Sequence, residues 1–188
     1  DVYKRQSLDD AIEIFRRARQ YKTPIFSCSQ HRFVPGFIGM RNHPAVGKVL
    51  GCSVYGGLTT EPHHSDFFWH GVHSAETLFT IMGPGCVSVT RVSTKDFDLV
   101  TGVWKDGRIG IFREGKGYGG TAKCESGEQK VGSYDGYAPL VKAVVRFFKS
   151  GKSPVNARET LEIYAFMQAA DESKAANGKE VPLKLDWD

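Results

Sequence analysis

The stretch VSVTRVSTKDFDLVTGVWKDGRIGIF, residues 87–112, decides the fold. It divides into three extended runs, 87–94, 98–104 and 108–112, that follow one another in hairpin style. The turn Lys105-Asp106-Gly107-Arg108 carries the Asp-Gly pair favoured by type I′ hairpins. Residues 121–125 and 129–132 extend the meander across a second glycine-containing turn, Ser126-Gly127-Glu128. Ahead of these strands lie an extended run over 46–55 and a short extended piece over 67–69. A helix over 74–82 follows, with Ala75, Leu78, Phe79 and Met82 on one face and Gly83-Pro84-Gly85 ending it. Behind the strands come two helices, 137–149 and 157–177. The first carries an apolar stripe of Leu140, Val141, Val144, Val145 and Phe148. The second turns Leu161, Tyr164, Ala165, Met167 and Ala169 inward. A closing strand is expected over 181–185. The expected class is α+β: an open, mainly antiparallel sheet flanked by helices.

Upstream the pattern is different. Ser7 precedes Asp9 and Asp10 as a helix start, and Ala11, Ile12, Ile14, Phe15 and Ala18 recur at helical spacing. After Thr23-Pro24 the run Ile25-Phe26-Ser27-Cys28-Ser29 reads as a short buried parallel strand. A helix leading into such a strand is one repeat of a βαβ sheet, and one repeat makes no sheet. Residues 31–43, polar and punctuated by glycine, read as a crossing between domains with a short helix near 37–41.

The chain has 188 residues, 40% hydrophobic and 24% charged, enough for a full core and far from a disordered composition. No apolar run approaches the roughly 20 residues that span a bilayer, and no signal peptide opens the chain. A formal charge of +4, with lysine and arginine scattered, predicts neither a nucleic-acid nor a membrane partner. Cys28, Cys52, Cys86 and Cys124 stand far apart without a CxxC pair and read as reduced thiols in a cytoplasmic protein. The opening Asp1-Val2-Tyr3-Lys4-Arg5-Gln6 back-translates to a transposon end used in sequencing libraries. Residues 1–6 are therefore expected to be an artefactual leader on a truncated reading frame.

Three stretches in this order resemble the Gfo/Idh/MocA oxidoreductases. Residues 7–33 are similar to the helix and strand that close the family's dinucleotide-binding domain. Trp69-His70-Gly71-Val72-His73, with Leu78 to Gly83 after it, is similar to the turn entering an apolar helix. Phe147-Phe148-Lys149-Ser150-Gly151-Lys152-Ser153-Pro154-Val155, with the helix behind it, is similar to the terminal helix pair. The resemblance implies that 7–44 is the remnant of a Rossmann domain and its crossing segment. Residues 45–188 are then an α+β domain that binds substrate and forms a homo-oligomer through its open sheet. It implies hydride transfer between NAD or NADP and a carbinol carbon of a sugar, cyclitol or related polyol. No cofactor-binding residue is expected here. Gly115-x-Gly117-x-x-Gly120 has the bare GxGxxG spacing but opens no helix, so the fragment by itself is expected to be inactive. The other reading is a non-catalytic binding or assembly module derived from the family.

Oxidising a carbinol needs a base at its hydroxyl, and histidine suits this near neutral pH. Taken alone, His73 at a helix start is more often structural; the resemblance makes it the catalytic histidine. The family's aspartate falls at Trp69, which transfers no proton. Asp66 or His70 is left to replace it, and Trp69 either stacks on a sugar ring or packs in the core. His63, His64, His70 and His73 crowd eleven residues. No cysteine or glutamate is placed to complete a metal site, so His64, His70 and Trp69 read as substrate-pocket lining and no metal is expected. Arg32 is expected to line the cleft or to make an interdomain salt bridge.

Overall fold

The computed structural model describes residues 7–41, 44–64 and 66–187; the expected leader, 1–6, lies outside them. Ser7 caps helix α1 (Leu8–Gln20), its hydroxyl accepting the Asp10 N–H at 3.1 Å, and Leu8, Ala11, Ile12 and Phe15 face inward. A 3₁₀ turn (Gln30–Phe33) and a single turn of helix, α2 (Pro35–Ile38), lead to strand β1 (Val49–Gly56). A second 3₁₀ turn (Asp66–Phe68) precedes helix α3 (Gly71–Met82). Strands β2 (Cys86–Ser93), β3 (Asp98–Trp104), β4 (Ile109–Glu114), β5 (Gly119–Cys124) and β6 (Gly127–Ser133) follow. Helices α4 (Ala138–Ser150) and α5 (Ala157–Ala175) and the short strand β7 (Val181–Pro182) complete the chain.

The strands form one seven-stranded sheet in the order β6-β5-β1-β4-β3-β2-β7. It is open and mainly antiparallel, as expected, but it is not a simple meander. β1 lies between β4 and β5, parallel to β4 (Gly51 opposite Ile109) and antiparallel to β5 (Cys52 opposite Ala122). Local hairpin signals place β3 beside β4 and β5 beside β6; they carry no information about a strand arriving from 50 residues upstream. The hairpin after Trp104 also differs from expectation. The Gly107 N–H bonds to the Trp104 carbonyl at 2.8 Å, and only Gly107 in the turn has positive φ (82°). That is a type I turn closed by a glycine bulge, because a type I′ turn would need positive φ at both central residues.

One face of the sheet packs on α3 and α5. Val54, Val100, Trp104, Phe112, Leu78, Phe79 and Phe166 are almost wholly enclosed, and the Trp104 indole N–H donates to the Gly83 carbonyl at 2.8 Å. α5 runs through the middle of this core, so apolar residues occupy most of its circumference, including all five predicted to point inward. In α4 only Ala143 is buried, and the stripe of Val141, Val145 and Phe148 faces outward.

Two further expectations are corrected. Residues 25–29 are not a strand: no described residue pairs with them, and the run instead packs against the helices, with Thr160 donating to the Ser27 carbonyl at 3.1 Å. The piece at 67–69, expected to be extended, is not: Phe67 and Phe68 belong to the 3₁₀ turn and Trp69 to the turn after it, and the buried Phe67 ring meets Phe112 edge-on at 5.6 Å. Cys52, Cys86 and Cys124 are free and buried, and Cys28 is half-buried. Burial pushes the Cys86 thiol up to about 12, which makes it unreactive. No helix among the described residues is long and apolar enough to cross a membrane.

Candidate active site

The site is built on the first turn of α3. His70 stands at the N-cap and Gly71 opens the helix. A side chain at Gly71 would strike the Phe67 ring at 2.7 Å, so the turn can close only on glycine. His73 then falls half-buried at the mouth of the helix, and its Nδ1 lies 2.8 Å from the Ser29 hydroxyl. Across from it, the Gln30–Phe33 turn is clamped to the core. The Ser29 N–H donates to Glu76 at 3.0 Å, Arg32 donates to Glu76 and Glu159 at 2.5 and 2.7 Å, and Arg41 reaches Glu159 from the far side. Burial, the largest single influence on Glu159, works to raise its pKa, but Arg41 and Arg32 together hold it below the usual carboxylate value.

Four of the five residues singled out for the site form a continuous run of rings. His64 meets Trp69 at 4.7 Å, Trp69 lies nearly parallel to His70 at 6.0 Å, and His70 meets His73 edge-on at 6.0 Å. His64 is held by Glu61, 2.7 Å from its Nδ1. Arg32, the fifth, is 4% exposed and stands behind the site as a tie between α3 and α5, the ion-pair role of the two expected for it. The Asp66 oxygens are engaged by Arg91 and Lys174.

The structure adds three residues that no motif marked. His31 is fully enclosed, with its ring 5.3 Å from His73, 4.4 Å from Tyr118 and 5.4 Å from Tyr134. Both tyrosines come from irregular, glycine-bearing segments, where no periodicity points to a site. Thr77 donates its hydroxyl proton to the His73 carbonyl at 2.9 Å, so the His31 Nδ1–H is the donor toward Thr77 at 2.8 Å. His31 Nε2 then carries a lone pair, with no partner among the described residues. Burial first, and then the charge of His73, push the His31 pKa down to about 4.

A pH dependence of stability follows. Above the unfolded value of 6.5 both states hold His31 neutral; as pH falls toward 4 only the unfolded chain takes up the proton, and folding is weakened. The loss reaches about 3 kcal/mol at its limit. Urea unfolding at pH 7.5 and 4.5 should register it. His31→Asn, which keeps a donor near the Nδ1 position but does not titrate, should lose much less between the two pH values.

Among the described residues no group of three His, Cys, Asp or Glu side chains is placed to hold a metal ion. Nor does the Gly115-x-Gly117-x-x-Gly120 spacing form a dinucleotide-binding turn. Gly115, Gly117 and Gly120 lie on the crossing from β4 to β5 and in β5 itself, and no helix N-terminus follows them. Gly120 has a packing cause: a side chain there would lie 2.3 Å from the Ser53 carbonyl oxygen of the neighbouring strand.

No protein-family model matches the chain, and no curated protein matches it in sequence. Its architecture matches solved structures over almost its whole length. Myo-inositol 2-dehydrogenase from Lactobacillus plantarum superposes with a TM-score of 0.77 at 13% identity, over 95% of this chain and 71% of that one. Myo-inositol dehydrogenase from Lactobacillus casei, solved with NAD(H) and myo-inositol, gives 0.75 at 11%, over 97% and 69%. Scyllo-inositol dehydrogenase from the same organism, solved with NAD(H) and scyllo-inositol, gives 0.69 at 11%, over 94% and 70%. The chain has the Gfo/Idh/MocA-type fold. The chain spans about 70% of the length of these structures.

Proposed function

We propose that this chain is the substrate-binding part of an NAD(P)-dependent oxidoreductase acting on a sugar, cyclitol or related polyol. His73 accepts the hydroxyl proton. The observation that carries the reading is the placement of His73: half-buried, anchored at Nδ1, and at the end of a run of rings suited to a polyol. A cyclitol or pyranose presents C–H faces that pack on an indole such as Trp69, while its hydroxyls need donors and acceptors such as His70 and His64. The architecture supports the reading, since proteins with this fold have been solved with NAD(H) and inositols. The dinucleotide has to be held by residues other than these, and the chain alone is expected to be inactive. Residues 7–44 would then border the nucleotide side and 45–188 the substrate side. Reduced, buried cysteines favour the cytoplasm.

The test is direct binding. Titrating the labelled chain with myo-inositol, scyllo-inositol and a panel of sugars should shift the ring signals of His70, His73 and Trp69 with at least one of them. NAD and NADP should move nothing. Silence of those rings across the whole panel would overturn the reading and favour the assembly module, which the tryptophan in the aspartate's place also fits.

The open sheet face carries the row Thr90–Thr101–Ile111–Ser53 across four strands, with Val92 and Ile109 about half exposed beside it. An uncharged row of this kind, bordered by Arg113, which donates to Ser53 at 3.2 Å, is suited to pairing with a second copy. Ile111→Asp should lower the sedimentation mass to that of one chain while leaving the fold intact. An unchanged mass would place the contact elsewhere.

A further inference from the structure

An imidazole acts as a base only through the nitrogen that carries its lone pair, and the partner of the other nitrogen decides which one that is. Trp69, four residues before His73, offers no carboxylate for this purpose. Ser29 stands where a partner is needed, 2.8 Å from His73 Nδ1. It is 5% exposed and is fixed from three sides. Its N–H donates to Glu76 at 3.0 Å, its hydroxyl oxygen caps the Gln30–Phe33 turn by accepting the His31 N–H at 3.2 Å, and its carbonyl accepts the Arg32 N–H at 3.2 Å. Glu76 is itself gripped by Arg32 at 2.5 Å. The serine therefore reaches His73 from a rigid base. Its hydroxyl proton has a separate acceptor in the Gln30 side-chain oxygen at 3.4 Å, which leaves an oxygen lone pair for His73.

We infer that Ser29 is a positioning residue: its hydroxyl accepts the His73 Nδ1–H and fixes the imidazole with its lone pair on Nε2. The inference rests on His73 being the proton acceptor. The step it prepares is a proton transfer alone. The carbinol O–H bond breaks with its electron pair left on oxygen, an N–H bond forms at Nε2, and the resulting imidazolium keeps its Nδ1–H on Ser29. Ser29 thereby does by hydrogen bonding part of what an adjacent carboxylate would do by charge. The rings that meet His73 among the described residues (His31, His70 and Tyr118) bring no carboxylate.

Long-range ¹H–¹⁵N correlation on the full chain reads the tautomer directly. Above its titration, His73 should carry its proton on Nδ1, against the Nε2–H preference of a histidine in water. In Ser29→Ala the proton should move to Nε2, and the His73 titration midpoint should fall by roughly half to one pH unit. Ser29→Thr should restore both, with the His31 and His70 signals unmoved. A His73 protonated at Nε2 in the unaltered chain would overturn the inference even if Ser29→Ala fails to fold, and so would identical spectra for Ser29→Ala. Neither result bears on turnover of His73→Ala, which tests the proton-acceptor role separately.

Discussion

Replacing His73 with alanine is expected to lower polyol-dependent nicotinamide reduction by roughly 10²–10⁴-fold, the usual contribution of a positioned base. The assay needs this chain together with the residues that bind the dinucleotide. The loss should fall on kcat, because the proton moves in the transition state while the proposed polyol contacts of Trp69, His70 and His64 would be left in place. His63→Ala, an exposed histidine outside the ring run, should retain full activity. Raising the pH should recover part of the lost rate, since hydroxide and ionised substrate then need less help from a side chain. Equal turnover in both variants would remove His73 from the chemistry and leave its Ser29 hydrogen bond as a fold contact.

The second large effect concerns stability, at Arg91. Its side chain is 0% exposed, with Asp98, Asp171 and Asp66 at 2.8, 2.7 and 3.2 Å, and the guanidinium sits over the Phe67 ring. Arg91→Met keeps the volume and removes the cation on which three carboxylates converge. A cost of about 3–5 kcal/mol is expected in urea unfolding at pH 8. Acid should relieve it. Burial already raises Asp171 to about 6 even with Arg91 present, and loss of the cation raises it further. An acid whose folded pKa lies above its unfolded value favours folding below the unfolded pKa and loses that contribution as pH rises through the folded pKa. The deficit of Arg91→Met should therefore be smaller at pH 5 than at pH 8, and Asp171→Asn in the same chain should recover part of it. A cost below about 1 kcal/mol at pH 8 would mean that the carboxylates find water or one another without the arginine.

Much of this architecture is legible in the residue order. The apolar period of α3, its glycine stop and the β3–β4 hairpin are local signals, and local signals survive folding. The partners of β1 were not legible, because Val49–Gly56 reads as a strand without indicating which strands it joins. Residues 25–29 have strand composition but no ladder, since composition reports burial and pairing needs a neighbour. At the site, His64, Trp69, His70 and His73 lie close in sequence and could be grouped. Ser29, His31, Tyr118 and Tyr134 arrive from three other segments, and only the tertiary fold brings them to the same place. Arg32 illustrates a further limit: an arginine after residues 25–29 invites an ion pair, but the sequence does not name Glu76 and Glu159 as the partners that enclose it.

The placement of β1 has a consequence for how the chain assembles. Two hairpins, β3–β4 and β5–β6, can close from their own turns, but they leave a slot one strand wide between β4 and β5. β1 must wait for that slot, because Gly51 finds Ile109 only across a long loop whose closure entropy is large. A ribosome-bound chain that has emerged only as far as β4 would thus hold β1 with one edge unsatisfied. In that interval it can pair with the same strand of another nascent copy, so synthesis rate and chaperone supply, more than the mature contacts, should set the yield of folded protein.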